Sequence, residues 1–215
     1  MVTFYLIGSR SWDTIAEVME HFDGWLMSDG YGQYRKYEKR LRCLAHIIRK
    51  ARGLGESCHP EAAEFGKKVL AIMNLFISGI YEARGDPTID LMARYSEKLE
   101  ELKTLCEKYR DHTHEKTRKL ARELLNDWDA IWNVLRYPQM PITNNLAEQA
   151  LRHWVISRKI NYGTRTKQGS RGYAILASVI DTCRQRDVSP WEYIARVIAE
   201  RRQNSPAPPL PELVI

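Results

Sequence analysis

The stretch from residue 60 to residue 136 constrains the fold most, because it contains long helical patterns with few helix breakers. Residues 61–84 are apolar on most faces, as in a buried helix. Apolar residues over 92–109 recur at alternating steps of three and four, which is typical of a helix packed on a partner helix. A third pattern covers 120–135. The stretch predicts an antiparallel helical layer, and its short heptad stripe favours packing within this chain over a dimer seam.

Short apolar runs precede this layer and predict strands. Residues 2–7 are mostly β-branched or aromatic, as in a buried strand. Residues 25–27 form a brief apolar run that ends in a Ser-Asp-Gly-Tyr turn. Residues 43–45, which follow a charged stretch over 35–42, predict a third short strand.

Two prolines at positions 138 and 141 break the helical pattern, because proline lacks the backbone donor that a helix needs. Helices are then predicted over 144–157, 171–186 and 190–202, followed by a proline-rich tail. One face of the first of these helices is apolar and is expected to be buried: Ala147, Ala150, Leu151, Trp154 and Val155.

The chain carries 33 Lys and Arg against 27 Asp and Glu, and most of the excess lies after residue 141. No acidic residue occurs between Glu148 and Asp181. Such a field attracts polyanions, of which nucleic acid is the commonest. The alternative is a solvated basic face without a ligand. The candidate DNA-binding residues of this segment are Arg152, Arg158, Lys159, Arg165 and Lys167.

The sequence predicts a cytoplasmic protein. No apolar run approaches the roughly 20 residues that a membrane helix needs, so no membrane partner is expected. The first residues lack the basic lead-in and the cleavage site of a signal peptide. The four cysteines are scattered, which fits a reducing compartment. Association with the nucleoid is expected if the ligand is DNA.

Two carboxylates are candidate metal ligands. Asp29 follows a predicted strand, from which it can face a site, although Asp-Gly after an apolar run is also an ordinary turn pair. Glu148 lies on the polar face of its predicted helix with Asn145, and its alternative role is a capping contact to Asn145. Acidic ligands for a cation beside positive anchors for phosphate are what metal-assisted phosphodiester chemistry requires.

Cys43 and His46 have the spacing of half a zinc site, and Cys58 with His59 could supply the other half. Because the second pair is adjacent rather than spaced, zinc is not expected. A buried cysteine and a hydrogen-bonded histidine near the end of a strand are favoured instead, so Cys43 and His46 are expected to support the site structurally.

Four sequence blocks occur in a characteristic order and spacing. They are Ser28-Asp29-Gly30-Tyr31, CLAHIIRK from Cys43, NNLAEQALR from Asn144 and SRKINYG from Ser157. Over about residues 2–200 the chain resembles the bacterial insertion sequence 66 family of DDE transposases.

The resemblance implies an α/β, mostly helical fold, in which a ribonuclease-H-like core is interrupted after its fifth strand by the helical insertion. It implies that Asp29 is the second acidic residue of the catalytic triad and Glu148 the third. It also implies that these carboxylates hold Mg²⁺ or Mn²⁺, and that the partners are transposon-end and target DNA.

The first catalytic Asp of the family has no counterpart here, because the acids before Asp29 lie on or beside the first predicted helix. We therefore expect the carboxy-terminal part of a catalytic region, an incomplete core with three short strands, and no strand transfer by the isolated chain. The expected segments are 1–59 (N-terminal part of the core), 60–137 (helical insertion), 138–203 (C-terminal core helices with Glu148 and the basic segment) and 204–215 (tail).

Two alternatives stay open. A catalytically inactive DNA-binding or regulatory transposase remnant would keep the basic segment and assemble with itself or with a full-length transposase. A helical interaction protein would instead use the heptad stripe to bind another chain. Metal-dependent nuclease activity separates the enzyme from the remnant, and salt-dependent DNA retention separates the remnant from the interaction protein.

Overall fold

The computed structural model describes residue 4 and residues 11–212. It contains two compact units, one formed by Ser11–Ala147 and one formed mainly by the residues from Glu148 onward. Among the described helices, none combines the length and the hydrophobicity that crossing a lipid bilayer requires. The described helices are α1 (Trp12–Met19), α2 (Leu44–Gly55), α3 (Pro60–Gly85), α4 (Leu91–Arg94), α5 (Ser96–Tyr109), α6 (Glu115–Asn126), α7 (Trp128–Arg136), α8 (Asn145–Ile160), α9 (Lys167–Gln185) and α10 (Pro190–Arg202), and the strands are β1 (Leu26–Ser28) and β2 (Arg40–Arg42).

The two strands lie side by side in parallel. Leu26 is opposite Arg40, and Ser28 is opposite Arg42. The strand predicted over 25–27 is therefore present, one residue later in the chain. Because the strands are parallel, the residues that follow each of them lie at the same edge of the sheet.

The strand predicted over 43–45 is wrong, because β2 ends at Arg42 and Leu44 already begins α2. The strand lies instead at the end of the charged stretch that precedes it, and both of its arginines, Arg40 and Arg42, are buried. Charged residues are rarely buried unless they are paired. A hydrophobicity pattern therefore places the strand too late.

The described sheet is smaller than the resemblance implies. Within residues 11–212 it consists of β1 and β2 alone. The strand predicted over 2–7 lies outside the described residues apart from Phe4, whose amide donates to Ser178 Oγ at 2.8 Å. A ribonuclease-H-like core stays a prediction.

A cluster of ion pairs allows arginines to lie inside the protein. The Asp127 carboxylate, 1% exposed, accepts hydrogen bonds from Arg35 Nε and Arg40 Nη2, each at 2.9 Å, and from Arg42. Burial by itself would raise the pKa of Asp127. The hydrogen bonds from Arg35 and Arg40 and the charge of Arg42 outweigh that effect and lower the pKa. Asp127 also ends α6, so the helix predicted over 120–135 is divided here into α6 and α7.

Helices α2 to α7 and β2 share one hydrophobic core. The heptad stripe of α5 is buried in it, which confirms the prediction that this stripe packs within the chain. Phe76 on α3 contacts Tyr95 and Trp132, with ring centroids 5.0 and 5.1 Å apart. Gly79 permits the close approach of Tyr95, because a Cβ there would lie 2.3 Å from the Tyr95 hydroxyl.

The second unit contains α9, α10 and most of α8. Trp154 Nε1 donates to Asp181 Oδ2 at 2.7 Å, and the Tyr173 hydroxyl donates to the Trp154 carbonyl at 2.9 Å. The buried face predicted for α8 is wrong, since none of the residues described in this helix is buried, and Leu151 and Val155 are 44% and 47% exposed. In the part of this unit that the structure describes, α9 and α10 are the neighbouring helices, too few to cover a whole helix face.

The two remaining helices agree with the sequence to different extents. The helix predicted over 190–202 is found as α10, with Ser189 as its N-cap. Helix α9 begins at Lys167, earlier than predicted, because the Thr166 hydroxyl caps it by accepting the Gly169 amide at 3.0 Å.

We predict that Asp127→Asn lowers the free energy of unfolding by about 3 kcal/mol, because it leaves buried arginines without a counter-charge. A lowered pKa means that the Asp127 stabilisation is complete above the ordinary Asp pKa of about 3.9 and is lost as the pH falls through the lowered value. The difference between variant and wild type should therefore shrink below about pH 4. Urea denaturation, followed by tryptophan fluorescence, measures this difference in the free energy of unfolding.

Asp129→Asn is the matched control, because Asp129 is exposed and lies in the first turn of α7. The free energy of unfolding of this variant should stay within about 0.5 kcal/mol of the wild-type value. Equal effects of the two substitutions would contradict a structural role for the ion-pair cluster.

Candidate metal and nucleic-acid site

The Asp29 carboxylate lies directly after β1, at the edge of the sheet. The preceding residue, Ser28, is buried, and its carbonyl accepts a hydrogen bond from the Cys43 amide at 3.0 Å. Asp29 is exposed, and its Oδ1 accepts the Tyr31 amide at 3.0 Å. Asp29 is thus a turn residue whose carboxylate faces solvent from a fixed backbone position.

Cys43 holds the corresponding position after β2. Its side chain is fully buried, and its Sγ accepts the Asn144 amide at 3.4 Å. The next amide, that of Leu44, donates to the Ile142 carbonyl at 2.9 Å. These contacts attach the segment that precedes α8 to the same edge of the sheet that carries Asp29.

A cleft of about 810 Å³ opens beside Asp29 and is lined by residues of α2 and α6; we call it the α2–α6 cleft. His46 lines it from α2. Six of its lining side chains are cationic and two are acidic. A concave site lined mainly by one sign of charge concentrates ions of the opposite sign. The charged lining residues are Asp29, Arg35, Arg49, Lys50, Lys116, Lys119, Arg122 and Glu123.

Ion pairs join β2 and α2 to α6 beside the Asp29 turn. Arg42 Nη2 donates to Glu123 Oε1 at 2.5 Å, and Lys50 Nζ donates to Glu123 Oε2 at 2.5 Å. Gly30 packs on the first of these pairs, because a Cβ at this position would lie 2.9 Å from both Arg42 Nη2 and Glu123 Oε1. The residue after Asp29 is therefore required to be small.

The donor chemistry of the cleft fits Mg²⁺ or Mn²⁺. Asp29 offers an exposed carboxylate, and oxygen is the ligand that both ions favour. Mg²⁺ keeps several waters and is commonly held by one or two carboxylates together with substrate phosphates. An exposed carboxylate in a cleft with a mainly cationic lining is compatible with such a site.

Glu148 lies in the first turn of α8, which begins at Asn145. It belongs to the second compact unit, whereas Asp29 belongs to the first. The pairing of Asp29 with Glu148 on one metal ion therefore stays a prediction.

The predicted DNA-binding residues are all exposed. Arg152 and Lys159 lie two turns apart on α8 and so share a face, with Arg158 beside them. Arg165 is in the loop after α8, and Lys167 is the first residue of α9 rather than part of the loop.

Tyr162 is a residue that the sequence reasoning did not single out. It lies in the loop between α8 and α9 with a φ of 56°, and it is 95% exposed. Aromatic side chains beside cations are the combination on which unpaired bases stack in single-stranded nucleic-acid sites. The signal for it was an aromatic residue directly before Gly163 in a basic loop.

The sequence profile described as "Transposase IS66 family" matches residues 1–172, which is well over half of the chain. The chain belongs to the IS66 family of transposases. This membership confirms the resemblance carried by the four sequence blocks, three of which lie around the Asp29 edge and along α2 and α8.

Relatives of this IS66-family chain come from the bacterium Sinorhizobium fredii (strain NBRC 101917 / NGR234). "Uncharacterized protein y4qI" is 26% identical over 96% of the chain and 41% of its own length. "Uncharacterized protein y4jO" is 26% identical over 79% of the chain and 50% of its own length. The chain spans half or less of the length of these relatives. No solved structure matches it.

The cations of α6 were also missed by sequence reasoning. Lys116, Lys119 and Arg122 resemble solvated helix positions, because acidic residues at Glu115 and Glu123 flank them. Their spacing of three residues nevertheless predicts a shared helix face, and this signal would have identified them.

We predict that Gly30→Ala in this IS66-family chain lowers the free energy of unfolding by about 1 to 3 kcal/mol, because the added methyl group collides with the buried Arg42–Glu123 pair. Gly32→Ala is the control, since a Cβ at Gly32 meets Arg35 Nη1 at an ordinary 3.8 Å. Urea denaturation compares the two. Equal changes would show that the turn does not depend on this contact.

Proposed function

We propose that this chain forms part of the catalytic region of a DNA transposase, in which divalent metal ions support cleavage and transfer of DNA strands. The observation that carries the proposal is the exposed Asp29 carboxylate at a sheet edge, in a cleft lined by six cations. Family membership supports the same reaction class. The DNA substrates would be the ends of a mobile element and a target duplex.

In this proposal Asp29 and Glu148 are the protein ligands of the metal ions. When bound, such ions activate the attacking oxygen and stabilise the leaving oxygen of a phosphodiester. The protein itself would position the DNA backbone and offset its charge, which is most of what phosphoryl transfer requires. Arg152, Arg158 and Lys159 would hold DNA phosphates, together with Arg165 and Lys167.

The second candidate function is a DNA-binding or regulatory protein without catalysis. It is favoured by the ion pairs of Glu123, the second carboxylate in the cleft, which already pairs with Arg42 and Lys50. Among the described residues that line the cleft, Asp29 is the one acidic side chain that forms no ion pair. Both candidates predict DNA binding, and they differ in metal-dependent cleavage.

We predict that Asp29→Asn weakens Mn²⁺ binding about tenfold or more when a short DNA duplex is present, because it removes a metal-ligand charge. Titration calorimetry measures the affinity, and nicking of the duplex in Mn²⁺ measures cleavage. Asp129→Asn, on an exposed surface of α7, should change neither.

If Asp29→Asn loses both Mn²⁺ affinity and the nicking that the wild type shows, the catalytic proposal is supported. If Asp29→Asn loses Mn²⁺ affinity while the wild type binds DNA and never nicks it, the regulatory alternative is supported. An Asp29→Asn variant with unchanged Mn²⁺ affinity would contradict the assignment of Asp29 as a ligand.

A further inference from the structure

We propose that the α2–α6 cleft is a second DNA-backbone site, in which the helical insertion itself supplies phosphate contacts beside Asp29. This inference rests on the proposed function and extends it. The DNA-binding residues expected from the sequence all lie after Glu148, whereas this cleft lies entirely within the unit Ser11–Ala147.

Among the described residues, three of the six cations of the cleft are unpaired or only weakly paired, whereas Arg35 pairs with Asp127, Lys50 with Glu123 and Arg122 with Asp111. Arg49 and Lys116 form no ion pair among residues 11–212. Lys119 pairs with Glu115 on its own helix, and both side chains are more than half exposed. Exposed pairs of this kind are worth little and are easily exchanged for another anion. At least three cations can therefore reach a bound phosphate.

The cations are arranged along a line rather than around a point. On α6 they extend from Lys116 to Arg122, and at 1.5 Å per residue this wall is about 9 Å long. From α2, Arg49 faces the cleft beside Lys50, whose charge is matched by Glu123. Two cationic walls along an open cleft suit a row of phosphates in a nucleic-acid strand better than one small anion.

The two carboxylates of the cleft do not oppose this arrangement. Glu123 is neutralised by Arg42 and Lys50, each at 2.5 Å. Asp29 would be neutralised by the divalent ion of the proposed function. The lining of the cleft also includes the uncharged residues Gly53 and Leu54.

The test compares three triple variants with the wild-type chain. The cleft variant is Arg49→Gln, Lys116→Gln and Lys119→Gln. The charge-matched control is Lys68→Gln, Lys98→Gln and Lys103→Gln, which are exposed on α3 and α5 away from the cleft. The third variant, Arg152→Gln, Arg158→Gln and Lys159→Gln, tests the segment after Glu148. Circular dichroism and thermal unfolding show whether each variant folds as the wild type does.

Binding to a short duplex of mixed sequence is measured as a function of salt concentration. For the cleft variant we expect at least tenfold weaker binding and a salt slope reduced by about two to three, because each lost phosphate contact removes about 0.9 from the slope. The control should bind nearly as the wild type does.

The outcomes separate the inference from the function on which it rests. A wild-type slope for the cleft variant, with a reduced slope for the variant after Glu148, would overturn the cleft site and leave the proposed function intact. Equal losses in the cleft and control variants would overturn it by showing a net-charge effect. Displacement of the DNA duplex by inorganic phosphate at equal ionic strength would also overturn it. So would a cleft variant that loses binding to an RNA duplex and keeps binding to the DNA duplex. Wild-type protein that retains no DNA would overturn both proposals.

Discussion

The burial of the Asp127 carboxylate among Arg35, Arg40 and Arg42 is the interaction on which the architecture of the first unit depends. A strand with two inward arginines is stable only if their charges are matched, since an unpaired buried charge costs several kcal/mol. Asp127 provides that match from the junction of α6 and α7. Strand β2 and the junction of α6 and α7 are therefore joined by ion pairs as well as by apolar packing.

The same arginines set the geometry of the candidate site. Arg42 also binds Glu123, which binds Lys50, so one chain of charge pairs runs from the buried strand to the rim of the cleft. Gly30 packs on this chain and carries the Asp29 turn with it. The Asp29 turn and the cations of α6 thereby lie in one compact unit. Preorganisation of this kind is what phosphoryl transfer asks of a protein.

Sequence reasoning worked where apolar periodicity carries the information. The helical layer, the internal use of the heptad stripe and a strand that ends directly before Asp29 all follow from such patterns. It failed at β2, because its arginines are buried through ion pairs with a residue far along the chain, and no local pattern reports a distant partner. It also failed for α8, whose apolar face is left exposed in a small unit. The cations of α6 were overlooked because a charged helix face is usually solvated. They become candidate ligand contacts only because the fold places them in one cleft with Asp29.

The proposed cleft site requires that α6 lie on DNA next to Asp29. An iron chelate attached through Lys119→Cys would test it most directly, because the chelate generates short-lived radicals that cut only nearby DNA. Cys58 is the exposed native cysteine, so Cys58→Ser provides the background, while Cys43, Cys106 and Cys183 are buried. We expect strong cutting of a bound duplex from position 119 and background cutting from the same chelate at Lys103→Cys. Equal cutting from both positions, or none from position 119 while the duplex stays bound, would contradict it.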